Sequence, residues 1–236
     1  MTILIKEIWA DIEKEANLSQ EGNCWVHDNA RVYGDAEVYE NATVHDNARV
    51  YGHAMVSGNA GVFGNAKVYD NAKVWANATV HNKAKVHDSA KVYGFAEVYG
   101  CAKVHDSAKV HGFTKVYDSA KVYGFAEVYD STEVYGNAKV RGDAELYNNV
   151  RISNDAVIDC TFDYCAIQGF GSEGRVTTFF NCKDGSIKVN CGCFDGTLDE
   201  FIAKIKEIHR GSSYEEEYLM AANLAKLRLS NVKERK

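Results

Sequence analysis

Ala84-Lys85-Val86-His87-Asp88-Ser89-Ala90-Lys91-Val92-Tyr93-Gly94-Phe95-Ala96-Glu97-Val98-Tyr99-Gly100-Cys101 holds three copies of one six-residue unit, and that period decides the fold. An aliphatic residue returns at every sixth place from Val26, Val32 and Val38 to Leu146, Ile152 and Ile158, without a slip. Two places before it stands a small residue, alanine in nearly every unit and Cys24, Thr114, Thr132 or Val150 in the others. No helix has this period. In an extended strand the small residue and the valine share one side, and their neighbours face the other way. The positions that follow carry pairs such as Gly34-Asp35, Asp46-Asn47, Gly58-Asn59 and Asp88-Ser89, residues that accept tight turns and left-handed backbone. Each unit is thus one short strand and one corner. Such a strand buries its apolar side only if the chain coils and stacks parallel strands turn upon turn.

The repeat resembles the left-handed parallel β-helix family, whose hexapeptide signature is an aliphatic residue, a small or acidic residue, two variable positions, a small residue and one more. The resemblance covers residues 24 to 159, with 23 consecutive units. It implies a three-sided prism that assembles as a homotrimer. The best-known members transfer acyl groups from CoA or acyl-carrier donors at sites between subunits, and others are structural or binding proteins. This chain departs from the enzymes in extruding no loop and in placing Tyr or His directly after the aliphatic residue. At three strands per coil the units make about eight coils, a prism of about 37 Å at roughly 4.8 Å per coil.

The flanks read as caps. In residues 1–23, Ile5, Ile8, Trp9 and Ile12 fall at helical spacing and are expected to lay an apolar stripe over the first coil. Residues 160–236 form a small α+β module: Val176 to Phe180 and Ile187 to Val189 flank Lys183-Asp184-Gly185-Ser186 as a hairpin. A helix opened by Thr197 and Glu200 then runs to Gly211, and a second starts at Ser213 and runs to about Leu229. The stretch from Lys183 to Phe201 resembles an uncharacterised module of phage and prophage proteins.

The 236 residues carry a net charge of -6, and 46% are apolar. No apolar run is long enough to span a bilayer, and the first residues lack the pattern of a secretory signal. Seven scattered cysteines, an odd number, read as reduced thiols. A cytoplasmic protein is expected, in the host cytoplasm if the chain is phage-encoded.

Residues 18 apart stack on one face of a three-sided prism, so the outward positions sort into three sets. One face shows Arg31, Arg49, Lys67, Lys85, Lys103, Lys121 and Lys139, all cations. Beside them run Tyr33, Tyr51, Tyr69, His87, His105 and Tyr123, rings suited to stacking on bases. Corner acids such as Asp70, Asp88 and Asp106 offer the ladder an ordinary neutralisation instead. A second candidate ligand-binding group joins Lys91, Tyr93, Lys109 and His111, and Trp75 and Tyr93 with the exposed corner rings Phe95 and Phe113 mark an oligomer interface. These features favour a non-enzymatic protein that binds a small anionic, nucleotide-type ligand, in the manner of a phage sponge countering host nucleotide signalling. Long nucleic acid is disfavoured by the net acidity.

The alternatives are a CoA-dependent acyltransferase, with His111 as its base, and a plain scaffold. Six histidines fill the tyrosine slot of the repeat, which argues against a unique base. Gly169-Phe170-Gly171-Ser172-Glu173-Gly174 has dinucleotide-loop spacing, but Arg175 to Phe180 reads as a strand and not the required helix. Arg175 and that loop remain a candidate phosphate hold. Cys182, Cys191 and Cys193 lack zinc-site spacing, so no metal and no cofactor is expected.

Overall fold

The computed structural model describes residues 11–231. Short strands, nearly all of two residues, recur every six residues from Trp25–Val26 to Val157–Ile158 and, with Asp11–Ile12 and Leu18–Gly22 before them, stack in parallel into three sheets of nine, eight and eight strands. The result is a parallel β-solenoid of about eight coils with a small antiparallel sheet and two helices at its C-terminal end.

The registry pairs residue i with i+18: Lys67 lies beside Lys85, Lys73 beside Lys91 and Thr79 beside Glu97. Inside, the valines from Val32 to Val140 and the alanines beside them are fully buried. Each strand is too short to be stable alone, and its stability comes from that shared interior. At every corner the residue two places after the aliphatic takes a left-handed conformation, with φ near 60° to 70° at Gly34, Asp46, Gly58 and Asp88. Its amide is often satisfied by the corner acid one coil earlier. Asp46 accepts from the Gly64 N–H at 2.9 Å, Asp88 from Asp106 at 3.2 Å and Asp106 from Gly124 at 2.9 Å.

The two ends are built differently. The stripe expected over Ile5, Ile8 and Trp9 lies outside the described residues, but Ile12 is not helical. Asp11–Ile12 is a strand paired with Arg31 and Val32, and Leu18–Gly22 joins the second sheet, so the parallel sheets begin before residue 24. A two-residue strand places one apolar residue on the core, and its sequence carries no mark separating it from a helical turn. Buried Asn17 finishes this end, donating to the carbonyls of Gly34 at 3.0 Å and Ala36 at 2.7 Å. At the other end the interior residues grow to Leu146, Val150, Ile152 and Ile158, and Tyr164, Phe180 and Cys182 join them in one core.

The hairpin is present as Thr177–Asn181 against Ile187–Cys191, inside a four-stranded antiparallel sheet completed by Tyr164–Ile167 and Phe194–Thr197. Helix α1 (Leu198–Ile208) has the expected reciprocal cap: Thr197 Oγ1 accepts from the Glu200 N–H at 3.2 Å, and Glu200 accepts from the Thr197 N–H at 2.8 Å. Helix α2 is Ser213–Ser230. No helix among the described residues is long and apolar enough to cross a membrane.

Candidate functional site

The cation ladder stands as the spacing requires. Arg31, Arg49, Lys67, Lys85, Lys103, Lys121 and Lys139 are consecutive neighbours on the nine-stranded sheet, flanked by Asp11 at one end and Val157 at the other. Arg31 pairs with Asp11 at 3.7 Å. From Arg49 to Lys139 no described carboxylate comes within ion-pair distance. The corner acids are engaged elsewhere: Asp88 and Asp106 bind His87 and His105 at 3.0 and 3.1 Å and accept the backbone amides described above. Neutralisation by those acids is therefore not realised. The lysines of the ladder rest half-buried.

The rings beside the ladder behave differently from what their residue types promise. Tyr33, Tyr51, Tyr69, His87, His105 and Tyr123 form one continuous column, with centroids 4.7 to 5.0 Å apart and planes within about 10° of parallel. Both faces of Tyr69 are covered by Tyr51 and His87. Tyr123 stacks on His105, and Arg141 from the next coil donates to its hydroxyl at 3.4 Å. A base cannot stack on Tyr69 without opening the column, so these rings offer edges to a ligand. Burial keeps the His87 imidazole below its ordinary range, against the pull of Asp88 toward protonation.

On the eight-stranded sheet that follows, Trp75, Tyr93, His111, Tyr129 and Tyr147 form another column at 4.3 to 5.5 Å. Here the charges are partly answered. Glu127 takes Lys109 at 3.2 Å and His111 Nε2 at 3.0 Å. Burial would raise the Glu127 carboxyl, yet the hydrogen bonds from His111 and Lys109 hold it below the usual range. His111 is covered by Tyr93 and Tyr129, and its Nε2 is already engaged by Glu127. Lys73 and Lys91 have no described counter-ion. With Tyr39, Met55, Ser57, Val74 and Trp75 they line an open cavity of about 360 Å³.

Phe95 and Phe113 are 52% and 62% exposed and stack at 4.9 Å, as expected of corner rings. The sequence reading missed a second apolar surface. Met220, Leu224 and Leu227 on α2 are 63%, 56% and 62% exposed at i, i+4 and i+7, a stripe whose helical spacing is visible in the sequence. Also missed were two matching clusters, His27-Asp28-His45 and His87-Asp88-His105, whose ligand atoms lie within 4.8 Å of one another and which have the donor types to hold a metal.

Arg175 stands apart from the ladder, on the loop before Thr177–Asn181, where it pairs with Glu173 at 3.3 Å. The neighbouring Gly171 N–H donates to Glu217 at 2.6 Å. Carboxylates therefore occupy the donors a phosphate would need. Burial raises the Cys182 thiol to about 11, which makes it a poor nucleophile.

Residues 48–64 match the family model described as the YdcK beta solenoid repeat. The match spans about one coil, and what it supports is the β-solenoid class. No curated protein gives a significant match.

Proposed function

We propose that this protein is a non-catalytic binding scaffold that associates with copies of itself and holds a small anionic, nucleotide-type ligand. The observation that carries the reading is the run of cations from Arg49 to Lys139 without a described counter-ion. Like charges at strand spacing repel, and an anion lying along Lys67, Lys85, Lys103 and Lys121 removes that cost and gains charge-assisted contacts. The ring edges of Tyr69 and Tyr123 flank this track. Net acidity elsewhere on the chain repels an extended polyanion, so the ligand is short. A phage sponge that sequesters a host nucleotide signal is the biological role this chemistry fits.

Self-association is the second half of the reading. Phe95 and Phe113, with Trp75 and Tyr93 beside them, and the α2 stripe both expose apolar surface of the kind a second copy covers. A left-handed hexapeptide trimer is the arrangement proposed. Native mass spectrometry of the protein from its host reports mass and retained ligand together. The expected result is three chains with a bound anion of nucleotide mass; a ligand-free monomer would refute both halves. Charged residues at Phe95 and Phe113 are expected to release soluble monomers, whereas release only by charge at Leu224 and Leu227 would move the interface to α2.

A further inference from the structure

Of the three ring columns, two run unbroken. The column beside the ladder has six rings, and the one from His27 through His45, Phe63, His81, Tyr99 and Tyr117 to Tyr135 has seven. The remaining column has one missing rung. Its ring slot, counted by 18, reads Tyr39, Ser57, Trp75, Tyr93, and Ser57 is a serine where each neighbour is aromatic. Strand spacing puts Tyr39 and Trp75 two coils apart, about 9.6 Å. Within the intact part, one ring per coil gives 4.3 to 5.5 Å steps. One planar ring therefore completes the column.

Three further features mark this gap as a place for a ligand. The cavity of about 360 Å³ lies here, with Tyr39, Ser57 and Trp75 in its lining. Ser57 is 7% exposed, and among the described residues no hydrogen bond engages its hydroxyl, although its backbone N–H and C=O are both paired. The hydroxyl itself opens onto the cavity, where it is a donor and acceptor available to a polar ring atom. Lys73 and Lys91 stand at the same cavity with exposed ammonium groups and no described counter-ion, whereas Lys109, the next rung, is already held by Glu127.

We infer that the gap over Ser57 is a binding slot for one planar aromatic heterocycle bearing an anionic group, the ring sandwiched between Tyr39 and Trp75 and the anion on Lys73 and Lys91. Ring faces that stacking closes in the column beside the ladder are open here, and stacking and charge meet at one point. The inference deepens the nucleotide-binding reading and rests on it for the ligand class, but it uses a different face and different residues from the ladder.

Adenosine 5′-monophosphate is the probe for the slot, and inorganic tripolyphosphate, which has charge and no ring, is the probe for the ladder. Calorimetry on the full chain is expected to show one AMP per chain, with quenching of Trp75 emission that disappears in Trp75→Phe. Ser57→Tyr fills the rung and is expected to weaken AMP by roughly tenfold or more, the scale of one base–ring stack. Ser57→Ala keeps the slot open and should bind AMP nearly as the parent does. Trp75→Ala, which leaves the slot unfilled, gives a second route to the same loss if Ser57→Tyr does not fold.

Lys73→Met with Lys91→Met is expected to weaken AMP and leave adenosine unchanged. AMP binding that survives Ser57→Tyr and Trp75→Ala, or that is lost only when Lys85 and Lys103 are changed, overturns the slot. A fall in oligomer mass in Ser57→Tyr with AMP affinity intact does so too, by assigning the gap to a ring from a second copy. Tripolyphosphate binding without AMP binding removes the slot and leaves the ladder reading standing. AMP binding without tripolyphosphate binding does the reverse.

Discussion

The ladder face and the face that carries Ser57 are built from the same six-residue unit, yet they present charge and aromatic surface in opposite ways. On the first the charges are uniform and, among the described residues, unanswered from Arg49 to Lys139, and the rings are stacked shut. On the second the outward charges change from Glu37 through Lys73, Lys91 and Lys109 to Glu127, and the ring column opens at Ser57. Repetition makes a strong field but closes the aromatic faces, because identical rings one strand spacing apart are one another's best partners. A break in the repetition is what exposes a face.

Charge reversal sharpens this contrast most. Lys85→Glu with Lys103→Glu is expected to weaken tripolyphosphate by about 100-fold or more, since each charge-assisted contact contributes about 1.5–3 kcal/mol. Competition calorimetry at fixed ionic strength checks it, and an affinity within a few-fold of the parent would detach anion binding from the ladder. Removing a closed ring should act on folding instead. Tyr69→Ala loses two stacked neighbours and is expected to cost about 2 kcal/mol of stability in denaturant unfolding while leaving tripolyphosphate affinity within a few-fold. A large loss of affinity with unchanged stability would show that the ring faces do serve the ligand.

The corner beside the slot gives a smaller effect of opposite sign. Ala76 holds φ at 61°, where most other corners use Gly, Asp or Asn. Ala76→Gly relieves that conformation and should stabilise the chain by about 1 kcal/mol, read as a higher denaturation midpoint.

Acidification gives the smallest. Glu127 titrates lower folded than unfolded because His111 and Lys109 bind its charged form. The unfolded chain therefore takes up the proton first. Stability from this trio is complete above the ordinary carboxylate value of about 4.3 and is lost as pH falls through the lower folded value. The difference in stability between the parent and Glu127→Gln should narrow below pH 4, and a difference independent of pH would remove the trio from the acid response.

Much of this was legible because the solenoid converts sequence distance into spatial contact by one rule, i to i+18. That rule places Lys67 beside Lys85 and Phe95 beside Phe113 with no structure in hand. It also carries the closure of the rings: Tyr51, Tyr69 and His87 occupy one slot in successive coils, so they had to cover one another. Reading each ring as a free platform missed this consequence of the same periodicity. Ser57 was equally visible as a lone non-aromatic residue between Tyr39 and Trp75.

Where the rule does not operate, residue patterns gave less. Ile12 fits a helical stripe and lies in a two-residue strand, because one apolar residue suffices for a coil edge. Tyr164–Ile167 and Phe194–Thr197 show no clear alternation, since both are edge strands of the sheet and the first also packs between the solenoid end and the helices. The capping box at Thr197 and Glu200 was readable because its chemistry is local.

The most direct test of the central claim is calorimetric titration of a nucleotide panel into the intact protein at several salt concentrations, followed by chromatography of the recovered ligand. The account predicts binding whose logarithm falls linearly with the logarithm of salt, as counterions are released from Lys and Arg contacts, and a ligand returned unaltered. The absence of heat with any nucleotide would leave a plain scaffold, and consumption of the acetyl-CoA thioester in the same panel would replace binding with acyl transfer.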